Sequence, residues 1–171
     1  PIYNVSHAEK CMELFITTAY DRRFHINDKI SVKFTNTAHM LGSASANIRI
    51  IESGEAKNIT YTGDIGRETN HILSPWTAFP QCDYLITEST YGDRLHEPIK
   101  ETETDFLKIV FETCVDRGGK LIIPSFSVGR TQEIVYTLNE FYNAGKLPHI
   151  DVFVDSPLSV NATDIFRMHT D

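Results

Sequence analysis

The chain has 171 residues, of which 41% are hydrophobic and 23% charged, and these fractions are typical of a globular protein rather than a disordered or fibrous one. The formal net charge of -7 argues against a free-standing basic domain that binds nucleic acid. The three cysteines have no paired spacing, which indicates neither a disulfide framework nor a zinc knuckle and favours reduced thiols in a cytoplasmic protein.

The chain also has no sequence pattern of a membrane protein. Its apolar runs are too short for a transmembrane helix, and its first residues do not have the pattern of a secretory signal. The length allows one domain, or one domain and part of another. Because the chain begins with Pro1 rather than Met, we expect it to be a fragment of a longer protein.

The first half of the sequence predicts one helix followed by antiparallel strands. Apolar residues recur at helical spacing from Ser6 to about Tyr20, and Ser6 with Glu9 fits a capping box. The pattern then changes to the alternation of half-buried strands, which predicts strands at 30–34, 46–51, 58–62 and 83–87. The turn around Gly54 predicts a hairpin between the second and third of these strands.

The second half predicts alternating helices and strands. Helical patterns cover about 101–117 and about 130–144, and a third begins near Ala162. Short apolar segments at 121–123 and 152–154 read as buried strands of a parallel sheet. The fold class is therefore predicted to be α/β, with antiparallel strands first and parallel strand-helix units later. The change of pattern near 89–100 is the predicted domain boundary.

Polar residues gather just beyond the predicted strands, where α/β folds place ligands. His39 lies on a short loop, and an imidazole there is a good zinc ligand. Asp64 lies between glycines and could bridge two metal ions, and Glu88 ends an apolar strand and could orient a catalytic histidine. Each residue alone also has a plainer interpretation, as a hydrogen-bonded histidine, an Asx turn and a turn cap.

Five stretches, taken together and in order, resemble the β-CASP nucleases of the metallo-β-lactamase superfamily. AHMLGSAS is similar to the third metal motif of that family, which usually reads Gly-His where this chain has Ala38 and His39. TGDIGR is similar to the fourth motif, and ESTYGDRLH to the acidic motif that opens the β-CASP region. PSFSVGRTQE and DSPLSVNAT resemble later stretches of that region. The sequences ESTYG and GRTQE resemble those of the RNA-processing branch of the family and favour RNA over DNA as the substrate.

This resemblance implies a fold and a reaction. Residues 1–90 would be part of the metallo-β-lactamase αββα domain, and 91–171 would begin the β-CASP domain. The intact enzyme would be a zinc-dependent phosphodiesterase that cleaves RNA by attack of a metal-activated hydroxide, with two zinc ions. His39 would bind one zinc, Asp64 would bridge both, and Glu88 would hold a downstream histidine that protonates the leaving oxygen.

Several residues have weaker assignments. Arg130 starts a helix, and Arg130 and Ser125 would contact a substrate phosphate. The HxHxDH motif, which supplies most zinc ligands of the family, does not occur in these residues, so we expect the fragment to bind zinc poorly and to be inactive alone. Roles stay open for Arg67, Arg94 and His96, and the remaining histidines are interpreted as ordinary surface or packing residues: His7, His25, His71, His149 and His169.

Two other functions fit part of the pattern. A small-molecule metallo-hydrolase of the β-lactamase or glyoxalase type shares the His and Asp motifs but has no need of the segment that begins ESTYGDRLH. A non-catalytic β-CASP scaffold in an RNA-processing complex would keep the fold without the reaction. We expect single-stranded RNA as the partner of the intact protein and no membrane, and exposed sheet edges would allow a homodimer.

Overall fold

A computed structural model describes residues 2–95 and 99–169 of the chain. The strands are β1 Arg23–His25, β2 Ile30–Asn36, β3 Ala44–Glu52, β4 Glu55–Tyr61 and β5 Tyr84–Ile86. The helices are α1 Val5–Met12, α2 Ile99–Val110, α3 Arg130–Asn143 and α4 Pro157–Arg167. The last turns of α2 widen into a π-helix, Phe111–Asp116.

The five strands form one sheet in the order β1-β2-β3-β4-β5. The first three pairings are antiparallel, and β5 runs parallel to β4. The predicted hairpin is confirmed, because Glu52 pairs with Glu55 across a two-residue turn. Both turn residues, Ser53 and Gly54, have positive φ angles of 53° and 84°, as a tight type I′ hairpin turn requires.

The alternation in the strands separates an apolar face from a polar face. Val32, Ile48 and Ile59 are in register on the apolar face. On the other face, the buried Asn47 side chain donates to Thr35 Oγ1 at 3.1 Å and accepts from Thr60 Oγ1 at 2.9 Å. A slip of one residue would break these bonds and reverse the faces, so the pattern fixes the register of the strands that lead to the site.

The helices of the second half have their own core. Val110, Leu138, Phe141 and Leu147 are buried together. Gly145, with a φ of 68°, follows α3 and ends it. The start of α4 is fixed by its own cap and by a proline in the first turn, where a proline costs no hydrogen bond.

The mixed α/β class is confirmed, and the differences from the predictions lie in particular elements. The segments at 121–123 and 152–154 were predicted as strands but make no strand pairing among the described residues. A strand forms only where a neighbouring strand pairs with its backbone. Without such a neighbour, the central residues Ile122 and Phe153 are each 86% exposed rather than buried. The one parallel pairing of the described residues is therefore β4–β5.

Helix ends also differ from the predictions. The first helix is shorter than expected, and Asn4 rather than Ser6 caps it, with the Asn4 side chain accepting from the His7 N–H at 3.1 Å. The last helix starts at Pro157, ahead of Ala162, because Ser156 provides the cap. Strand β1 was not predicted, since three residues are too few to show a period. Among the described residues, no helix is long and apolar enough to cross a bilayer.

Candidate metal centre

The loop that follows β2 is held in shape by a serine. Ser43 Oγ accepts hydrogen bonds from the backbone N–H groups of His39 at 3.0 Å and Met40 at 3.2 Å. Ala38 is buried with a φ of 54°, which is a left-handed conformation that glycine adopts more easily. The loop therefore presents the His39 imidazole outward, with 40% of its side chain exposed.

The loop that follows β4 lies directly against the first loop. The Gly66 N–H donates to the Thr37 carbonyl at 2.8 Å. A Cβ atom at Gly66 would lie 1.8 Å from the Ala38 carbonyl oxygen and 2.7 Å from the His39 nitrogen. Only a residue without a side chain allows this approach, so Gly66 brings the loop that carries Asp64 onto the loop that carries His39.

The two loops place His39 beside Asp64. His39 Nε2 lies 3.6 Å from Asp64 Oδ2. Two ligands of one tetrahedral zinc ion, each about 2.1 Å from the metal, would be about 3.4 Å apart. The separation of these atoms and their chemistry therefore fit a shared metal ion. The pair lines an open cleft with Met40, Leu41 and Ser43.

Glu88 is held next to the same loop by the parallel strand pair. Its N–H donates to Thr62 Oγ1 at 3.3 Å, and its Oε1 accepts from the Ile65 N–H at 2.7 Å. The hydrogen bond from Ile65 lowers the pKa of the Glu88 carboxyl, and hydrogen bonds from Thr90 and the nearby charge of His39 lower this pKa further. Glu88 is therefore a carboxylate at neutral pH, and it is hydrogen-bonded to the backbone of Ile65, the residue that follows Asp64.

His39 and Asp64 thus lie side by side, and Glu88 is bonded to the backbone of the residue that follows Asp64. Within residues 2–95 and 99–169, no group of three His, Cys, Asp or Glu side chains is arranged to hold a metal ion. The described part of the chain offers two candidate ligands, the His39 nitrogen and the Asp64 carboxylate, which is fewer than the three that catalytic zinc sites usually take from protein.

The residues expected to contact phosphate lie at the start of α3. Arg130 is paired with Glu133, with 2.7 Å between its guanidinium nitrogen and Oε2. Ser125 Oγ lies 2.7 Å from Thr131 Oγ1. These contacts are with α3 itself and with its first turn, so they do not join Arg130 or Ser125 to the His39–Asp64 pair.

The residues without an assigned role divide into two groups. Arg94 pairs with Asp93 at 3.0 Å and stacks on the Tyr91 ring at 5.9 Å, and Arg67 is exposed. His96 lies outside the described residues. Sequence reasoning missed Gly66, although a glycine two residues after a candidate ligand is a signal for close backbone approach.

The chain is similar in sequence to known proteins along most of its length. A family model described as the Beta-Casp domain matches residues 131–171. The chain is 34% identical over 137 residues to a ribonuclease of Thermus thermophilus, covering 80% of this chain and 30% of that protein. It is 35% identical over 170 residues to an RNase J-like protein of Methanocaldococcus jannaschii, covering 98% of this chain and 39% of that protein.

A eukaryotic relative matches over a similar span. Cleavage and polyadenylation specificity factor subunit 3 of Dictyostelium discoideum is 33% identical over 170 residues, covering 98% of this chain and 21% of that protein. The chain thus spans between 21% and 39% of the length of these three relatives.

Proposed function

Since this chain belongs to the β-CASP proteins of the metallo-β-lactamase superfamily, we propose that the full protein is a metal-dependent ribonuclease. It would hydrolyse phosphodiester bonds of single-stranded RNA. The observation that carries this proposal is the approach of His39 Nε2 and Asp64 Oδ2 to 3.6 Å. The names of the relatives, which include a ribonuclease and a cleavage factor subunit, support RNA as the substrate.

Zinc is the metal that these donors suit. His39 would bind one ion through Nε2, and Asp64 would bridge two ions, because its carboxylate has two oxygens and a negative charge. When bound, zinc would polarise the scissile phosphate and supply a nucleophile at neutral pH. The described residues provide too few ligands for tight binding, so we expect the fragment to be poorly loaded and inactive alone.

Glu88 has a different task in this proposal. Because its pKa is lowered, it stays ionised and is poorly suited to donate a proton itself. An ionised carboxylate at this place can hold the loop of Asp64, and we propose that it also orients the further histidine that the family resemblance implies. That histidine would protonate the leaving oxygen.

The remaining assignments are parts of the same proposal. We propose that 1–90 belongs to the metallo-β-lactamase domain and 91–171 to the β-CASP domain, and the family match at 131–171 is consistent with the second range. Arg130 and Ser125 would contact a phosphate away from the scissile bond. Arg130 would then leave its ion pair with Glu133 and bind that phosphate instead. The cytoplasm is the proposed compartment, because Cys11, Cys82 and Cys114 are free thiols.

Self-association is a separate part of the proposal. Strands β1 and β5 lie at the two edges of the sheet, and an exposed edge can pair with a second copy of the chain. A homodimer would appear in light scattering as twice the mass of the chain, and a monomer at all concentrations would contradict it.

The test of the reaction is Asp64→Asn in the full-length protein. We expect cleavage of labelled single-stranded RNA to fall by more than about 100-fold, since even residues that only orient metal ligands are worth about 10–100-fold. Asp151→Asn makes the same substitution at an exposed aspartate and should leave activity intact. Near-normal turnover of Asp64→Asn, with unchanged circular dichroism, would remove Asp64 from the mechanism.

The same assays separate the alternatives. A small-molecule hydrolase would cleave thioester or lactam substrates in preference to RNA. A scaffold would cleave neither, even with zinc added.

A further inference from the structure

His71 joins the two halves of the chain. Its Nε2 lies 2.6 Å from Glu103 Oε1, which is a close contact between an imidazole nitrogen and a carboxylate oxygen. Its ring also stacks on Tyr136, with 6.4 Å between the ring centres and 24° between the planes. Glu103 belongs to α2 and Tyr136 to α3, whereas His71 follows the loop that carries Asp64.

We infer that His71 is a positioning residue that locks α2 and α3 against the loop of the metal ligand Asp64, and so fixes how RNA lies across the metal centre. This inference rests on the proposed function, because it concerns the path of the same substrate. His71 lies outside the motifs and outside residues 131–171 of the family match, and its sequence context indicates only an ordinary histidine.

The packing of the two halves explains why such a contact matters. In the described part of the chain the strands pack on one another, and α3 packs on α4, but no strand shares an extended interface with α2, α3 or α4. The orientation of the helices relative to the sheet therefore depends on contacts made by loops. The His71 and Glu103 side chains are 42% and 32% exposed, so water only partly competes with their contact.

The two halves hold different parts of the proposed substrate site. His39 and Asp64 follow strands of the sheet, whereas Arg130 and Ser125 lie at the start of α3. A long RNA would contact both halves, but a small phosphodiester would need the metal centre alone. Loss of the His71 contacts should therefore weaken RNA cleavage more than cleavage of a small substrate.

The experiment compares three substitutions of His71 in the full-length protein. His71→Ala removes both contacts, His71→Gln keeps a donor at the position of Nε2, and His71→Phe keeps a ring for Tyr136. His7→Ala is the matched control, since His7 is an exposed histidine of α1. Substrates are a labelled single-stranded RNA and bis(p-nitrophenyl) phosphate.

We expect His71→Ala to lower kcat/KM for RNA by about tenfold, because misplacement of a substrate by 1 Å costs up to about 100-fold. Hydrolysis of bis(p-nitrophenyl) phosphate should stay unchanged, and His71→Gln should recover more RNA cleavage than His71→Ala. Equal losses for both substrates would overturn the inference, since the effect would then lie in the metal centre. Equal rates of RNA cleavage by His71→Ala and His7→Ala would also overturn the inference.

Hydrogen exchange distinguishes this inference from the proposed function. If the wild-type protein cleaved neither substrate, the nuclease proposal would fail, but the contact could still be tested. His71→Ala should then speed exchange in residues 101–110 of α2 and leave β2 and β3 unchanged. Unchanged exchange in α2 would overturn the positioning role.

Discussion

The Glu88 carboxylate accepts a hydrogen bond from the backbone N–H of Ile65, with 2.7 Å between Oε1 and the nitrogen. Ile65 directly follows Asp64, so this bond fixes the backbone from which the proposed metal ligand projects. Glu88 follows β5, and its own N–H is bound to Thr62 at the end of β4. The parallel pairing of β4 and β5 thus sets the position of Asp64 through one carboxylate.

Substitution of Glu88 tests this bond directly. Glu88→Ala should lower the free energy of unfolding by about 1–2 kcal/mol, because the Ile65 N–H loses a charged acceptor. Glu88→Gln keeps an acceptor oxygen and should lose less. Hydrogen exchange of the Ile65 amide, measured by NMR, should be faster in Glu88→Ala than in Glu88→Gln, and equal rates in the two variants would contradict this reading.

The pH dependence of stability follows from the lowered pKa of Glu88. The ordinary value is 4.5, and the hydrogen bond from Ile65 holds the folded pKa below it. The contribution of Glu88 to stability is therefore present above 4.5 and is lost as the pH falls through the lower, folded value. Between about pH 6 and about pH 3, the free energy of unfolding in urea should fall more for the wild type than for Glu88→Gln, because the glutamine side chain does not titrate. An equal fall in unfolding free energy for the wild type and Glu88→Gln would argue against an ionised Glu88.

Gly66→Ala tests the contact between the two ligand loops. The new Cβ would lie 1.8 Å from a backbone oxygen of Ala38, so one loop must move. We expect a loss of about 2–3 kcal/mol in unfolding free energy, together with weaker metal binding. Gly54→Ala is the control, since its Cβ would meet open space and only its positive φ, 84°, opposes the change, at about 1 kcal/mol. A smaller loss for Gly66→Ala than for Gly54→Ala would contradict the contact.

Gln132 offers a test of the helical half. Its buried amide nitrogen donates to the carbonyls of Ser127 at 3.2 Å and Ser159 at 3.1 Å, and its oxygen accepts from the Gly129 N–H at 2.7 Å. Gln132→Leu leaves these backbone groups without that partner and should cost about 2–3 kcal/mol in urea unfolding. The same change at the exposed Gln81 should cost little. Similar midpoints for the two variants would show that the amide does not link α3 to α4.

Metal analysis tests the expected weak loading of this segment. After dialysis against buffer with added zinc and then without it, the 171-residue chain should retain well under one zinc ion, because two ligands cannot match the usual three. Two tightly held ions per chain would refute this. Asp64→Asn should reduce even weak zinc binding, as measured by competition with a chromophoric chelator.

The sequence by itself determined most elements and singled out the candidate site residues. The two-residue alternation and the turn at Gly54 were enough to predict β2, β3, β4 and their hairpin, because one face of each strand must be buried. The order of the motifs was enough to single out His39, Asp64 and Glu88. Local chemistry of this kind depends on neighbours along the chain, which a sequence displays directly.

Only the tertiary structure decided which residues act on each other across the chain. No local pattern predicts that Glu88 binds Ile65, that Gly66 lies on Ala38, or that His71 meets Glu103, since each pair is distant in sequence. It also decided that the apolar segments at 121–123 and 152–154 make no strand pairing among the described residues. Strand formation and loop contacts are made between separate parts of the chain, and their energies depend on a partner that the local sequence does not specify.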